Sequence, residues 1–126
     1  MQGRYIGVGM TLIELVVVLV IIALLSAMAT PVLTKHLLEA RRVDAISQLL
    51  LLQMAQEAYR LKSTAYGQLA DLDTLVRSEF YTFSSTNIGT DSYTLTATAH
   101  GSQAADSDCA SISVNQHDQR SPAACW

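Results

Sequence analysis

Basic clusters, glycine-rich loops and metal-ligand spacings are missing from this 126-residue chain, and each absence removes a class of function. No run of basic residues extends beyond Arg41-Arg42 and the formal net charge is −3, so there is no electrostatic footprint for nucleic acid, and specific DNA binding is not predicted. No glycine loop is present to cradle phosphate and no serine or cysteine sits in a nucleophile motif, so no enzyme is expected. His36, His100 and His117 are too scattered to ligate zinc and read as surface residues. Asp106, Asp108 and Asp118 lack the glycine and distal glutamate of a calcium loop, and paired aspartates of this kind are usually solvated turn residues; neither metal nor cofactor is expected.

What is present is unevenly placed. Half the residues are hydrophobic and only 15% charged, yet the average hides an apolar amino-terminal third and a polar carboxy-terminal half. No charged side chain occurs from Leu15 to Thr34, a run whose helix would measure about 30 Å and cross a hydrocarbon core. Glu14 stands at the head of that run. A carboxylate at such depth costs about 2.5 to 3.5 kcal/mol on insertion scales, so a partner should compensate it. Cutting between Gly9 and Met10 would free an α-amino group at the same depth as Glu14, able to neutralise a carboxylate in hydrocarbon.

Two plainer readings compete. Glu14 could snorkel to the headgroups and do nothing more. Alternatively, Arg4, the stretch 15–25 and Ala27-Met28-Ala29 could form the charged, apolar and cleavage regions of a secretory signal, releasing a soluble domain after Ala29. Against the second, Glu14 sits where the apolar region should begin, and helical patterning continues past Ala29. Intact mass separates the two, because one predicts a chain starting at Met10 and the other at Thr30.

Gly9, Met10, Thr11, Leu12, Ile13, Glu14 and the apolar run to Ala29 resemble the class III signal of type IV pilins and pseudopilins. The resemblance implies a prepilin peptidase that cuts after Gly9 and N-methylates Met10, and a Glu14 that pairs with a neighbouring subunit's amine. Met10 stands where the family usually has phenylalanine, and Pro31 falls where pilins carry a helix-breaking proline.

Beyond Pro31, Leu37, Leu38, Val43, Ile46, Leu49, Leu50 and Met54 recur at three- and four-residue steps, with Arg41, Arg42, Asp44 and Gln48 between them. The spacing predicts one helix from Thr11 to about Lys62, kinked or locally melted at Pro31, whose apolar stripe packs on the rest of the chain. Residues 63–73 read as a loop and 72–76 as a short helical turn. Strands are expected over 79–84, 92–100 and 110–114, with a turn at 87–91, giving an antiparallel meander against the helix. Cys109 and Cys125 lie in the polar tail of an exported chain, and their disulfide would contribute roughly 3 kcal/mol on the chain-entropy estimate.

The pattern Tyr93-Thr-Leu-Thr-Ala, Gln103-Ala-Ala-Asp106, Cys109 and Ser121-Pro-Ala-Ala-Cys125-Trp126 is similar to small PilE-like minor pilins. The implied fold is α+β, a long amino-terminal helix on a four-stranded antiparallel sheet with a carboxy-terminal disulfide loop; the fourth strand comes from the resemblance alone. The organisation expected is a leader over 1–9, a transmembrane and fibre-core helix over 10–30, an amphipathic helix over 31–62 and a β head over 63–126. The function implied is a minor pilin of a type IV pilus, supporting pilus biogenesis, twitching motility, adhesion or DNA uptake. Its partners would be other pilin subunits, the prepilin peptidase, the inner-membrane assembly platform and, before assembly, membrane lipid. It would sit as a single-pass protein in the inner membrane with a periplasmic head, then in the extracellular pilus. A type II secretion pseudopilin is the alternative within the fold, and Cys109 and Cys125 argue against it because calcium often replaces the disulfide there.

Overall fold

A computed structural model describes residues 9–126, and the residues of the expected leader before Gly9 lie outside that range. The chain divides into two units, Met1–His36 and Leu37–Trp126. Helix α1, Leu12–Arg60, contributes to both. It starts at Thr11, whose Oγ1 accepts the Glu14 N–H at 3.3 Å while its carbonyl accepts Leu15 N–H at 3.2 Å. Thr11 is thus the N-cap and Glu14 lies in the first turn, where a carboxylate favours the helix dipole. At the other end Arg60 sits in the last turn and Lys62 N–H tightens onto the Tyr59 carbonyl at 3.0 Å.

In the second unit the sheet order is β1-β2-β3-β4, all neighbours antiparallel: β1 is Tyr81–Thr86, β2 Thr94–Ala99, β3 Ser111–Asn115 and β4 Arg120–Ser121. The three strands read from alternation are present and the fourth is a two-residue strand. β1 begins later than its apolar pattern suggests, because Ser78 Oγ accepts the N–H groups of Phe80 and Tyr81 and turns the chain there. The helical turn expected over 72–76 lies instead at Leu69–Asp71, where the Asp71 carboxylate accepts Gln68 N–H at 3.0 Å. Two further 3₁₀ turns, Gly101–Ala105 and Ser107–Cys109, join β2 to β3.

The core of this unit forms where one helix face meets the inward positions of the strands. Ala45, Leu49 and Leu52 from α1 are buried with Tyr81, Tyr93, Leu95, Ala97, Ile112 and Val114. Val43 and Met54 do not join them; they are 61% and 69% exposed. Buried positions 45, 49, 52 and 56 define the inward face, and Val43 and Met54 project away from it. The run Leu49 to Leu52 is apolar on every side, so hydrophobicity alone does not select which leucines turn inward.

Candidate assembly segment and pinned head

Every described residue of the first unit is exposed, from Gly9 to His36. Leu12 is 84% exposed, Ile13 72% and Leu24 62%, and nothing lies within 4 Å of where a side chain at Gly9 would begin. Glu14 is the one carboxylate here, and it makes no hydrogen bond or ion pair with another side chain among the described residues. This is the one helix among the described residues long and apolar enough to cross a membrane.

The hydroxyls inside this segment are satisfied by the helix itself. Ser26 Oγ donates to the Ile22 carbonyl at 2.8 Å and Thr34 Oγ1 to the Thr30 carbonyl at 3.1 Å. Pro31, expected to break the helix, lies within it. A proline has no N–H to give the carbonyl four residues earlier, here that of Ala27. The Thr30 hydroxyl approaches that carbonyl at 3.3 Å and supplies the missing donor, which explains why α1 runs through.

In the second unit the segment 102–109, which leads into the Cys109–Cys125 loop, is fastened to α1 and the sheet. The two cysteines are bonded, their Cα atoms 5.7 Å apart. Arg42 faces the Asp106 carboxylate at 3.6 Å and donates toward Cys109 Sγ, while Arg41 lies 3.7 Å over the Phe80 ring and donates to Ser102 Oγ. Buried Gln103 donates to both the Leu38 carbonyl and the Tyr81 hydroxyl at 3.0 Å. Gln56, equally buried, exchanges two bonds with Gly67: its Nε2 donates to the carbonyl at 2.7 Å and its Oε1 accepts the N–H at 3.0 Å. A Cβ at residue 67 would lie 3.0 Å from the Tyr59 ring and 3.2 Å from Asp71 Cβ, so any larger residue would have to displace a neighbour.

Burial also sets the tyrosines. It pushes the Tyr93 hydroxyl up to about 12, with the Glu57 carboxylate adding to the effect. Tyr81 is raised chiefly by burial, although the Gln103 bond pulls the other way, and Tyr66 is raised by burial and by Glu57.

The cysteines chosen from sequence are brought together, while Gly9, Met10 and Glu14 stand together on exposed chain. Thr11, Thr30, Gln56 and Gln103 were not singled out for these roles. The Thr-x-x-Glu spacing of a helix start signalled Thr11; nothing in the pattern signalled the two glutamines, whose partners lie on other elements. Asp106 and Asp118, considered for calcium, lie against Arg42 and Arg120.

A family model described as "Type IV minor pilin ComP, DNA uptake sequence receptor" matches residues 31–113. Among solved structures, a high-resolution structure of a type IV pilin from Shewanella oneidensis is similar, with a TM-score of 0.58 and 26% identity over 71% of this chain and 97% of that one. No curated protein matches. With most of its length inside that family and its fold shared with a solved pilin, the chain belongs to the ComP family of type IV minor pilins.

Proposed function

We propose that this minor pilin is cut after Gly9, carries a methylated Met10 amine, and enters the pilus by moving its apolar helix from lipid into a bundle of other subunits' helices. The observation that supports this reading is the exposed, apolar stretch from Leu12 to Leu33, whose one charged group is Glu14 in the first turn. Lipid and a helix bundle are both apolar, so transfer between them gains little from burial, and close packing together with the Glu14 to amine pair supplies selectivity. Prepilin peptidase and an inner-membrane platform are the machinery this requires, with the head periplasmic before assembly and extracellular after it.

Pilus biogenesis, twitching motility, adhesion and DNA uptake are the processes such a subunit serves, and DNA uptake is the one the family's description names. Residues 37–126 carry ten acidic and six basic side chains, a formal charge of −4. Arg42, Arg60 and Arg120 each lie against a carboxylate. We assign this head a place in the fibre, and its charge balance gives no broad basic footprint.

Mass spectrometry of sheared filaments tests the proposal: a methylated chain beginning at Met10 is expected, and one beginning at Thr30 would overturn it. Glu14→Ala should leave membrane insertion intact and reduce recovery in filaments; undiminished recovery would remove the pairing role.

A further inference from the structure

β1 is an edge strand of six residues, whereas the opposite edge, β4, has only two. His100 N–H donates to the Phe80 carbonyl at 2.9 Å, and the register pairs Tyr81 with Ala99. In an antiparallel ladder, bonded and non-bonded pairs alternate. Phe80, Thr82, Ser84 and Thr86 therefore bond toward β2, while Tyr81, Phe83 and Ser85 aim their backbone groups outward. The Ala99 N–H donates away from β1, to the Ala110 carbonyl at 2.7 Å, as this parity requires. Ser78 Oγ covers the outward N–H of Tyr81. The N–H and carbonyl of Phe83 make no hydrogen bond with the chain alongside among the described residues.

Natural sheets usually blunt such an edge with charge, proline or a covering segment. Here residues 74–78 run beside β1 without pairing to it, and a groove of about 570 Å³ lies between them. Leu52, Leu69, Tyr81 and Phe83 give it an apolar lining, and Leu75, 86% exposed, stands on it as well. Its basic side chains are Arg77 and His100, and no carboxylate lines it. In a head of net charge −4 this is a local reversal of sign, and Arg77 has no carboxylate partner among the described residues.

We propose that this edge is a docking groove for an extended acidic peptide of another protein, which adds as a fifth strand beside Phe83 and sets a carboxylate against Arg77 and His100. Main-chain bonds to Phe83 supply the pairing, and alternate apolar side chains enter the lining. A nucleic acid would satisfy the charge but neither the open ladder nor the apolar lining.

The test uses the full chain in detergent and a fluorescein-labelled peptide, acetyl-Val-Asp-Val-Asp-Val-Thr-Val-amide. Its controls replace both Asp by Lys, or the central Val by Pro. Anisotropy should show saturable binding of the acidic peptide, with slowed amide exchange at Phe83. The Lys and Pro forms should bind at least about tenfold more weakly. Arg77→Glu should weaken the acidic peptide about tenfold and favour the Lys form, and Arg77→Gln should fall between, both with unchanged thermal melting. No saturable binding would overturn the proposal. So would equal binding of the Pro form, or displacement by a duplex oligonucleotide with Phe83 exchange unaltered, since either describes an anion patch without strand addition.

Discussion

Leu24 and Leu49 belong to one helix, yet Leu24 is 62% exposed and Leu49 wholly buried. The amino-terminal stretch is the more apolar of the two and buries nothing, while the stretch that packs contains buried Gln56 and half-buried arginines. Hydrophobicity therefore does not decide which part of this helix makes the core. What decides it is the presence of complementary strands from the same chain beside residues 45–56, and their absence beside 12–33. A segment this apolar and this exposed is matched to a solvent or partner that the chain itself does not supply.

That contrast can be broken most sharply with paired truncations. Leu49→Ala should cost the head about 2–5 kcal/mol, read by thermal melting of the full chain in detergent, because it opens a cavity in a packed core. Leu24→Ala should leave that melting unchanged and act on filament recovery alone. A head destabilised equally by both would show that the two stretches are not energetically separate. Next in size is the disulfide: Cys109→Ser with Cys125→Ser should cost about 3 kcal/mol by the chain-entropy estimate, measured in the same assay.

Gln56→Leu follows, at about 2 kcal/mol or more, because the N–H and carbonyl of Gly67 lose their partners in a buried place. Hydrogen exchange should show the Gly67 amide released, and an unchanged rate would contradict the pairing. The smallest effect is confined to alkaline solution. The Tyr93 hydroxyl, at about 12 when folded against 10.0 for the free group, holds its proton while the unfolded chain has lost it. Its contribution is therefore whole below pH 10 and is lost as pH rises toward 12. Melting at stepped pH should show this decline, and Tyr93→Phe should flatten it.

Much of the fold was legible because its signals are local. The charge-free run, the alternation at Leu95 and Ala97 and at Ile112 and Val114, and the placing of two cysteines in the polar carboxy-terminal tail depend only on neighbours in sequence. The misplacements were of another kind. Val43 and Met54 satisfy a helical repeat but project away from the face that the strands cover. Pro31 carries the ordinary penalty of proline, yet Thr30 beside it offsets the lost bond. Gln56 and Gln103 look like surface polar residues until Gly67, Leu38 and Tyr81 are brought to them.

The sequence by itself determined that one end of this chain must leave water and that the other must fold in it. It also determined where a lone acid and a cystine would lie, because each is a matter of residue type and spacing. Tertiary structure alone decided which leucines of an all-round apolar run face the sheet, which polar side chains become buried fasteners, and that β1 keeps an open edge beside Arg77. Those outcomes rest on contacts between residues distant in the chain, and no local pattern encodes which distant surface a side chain will meet.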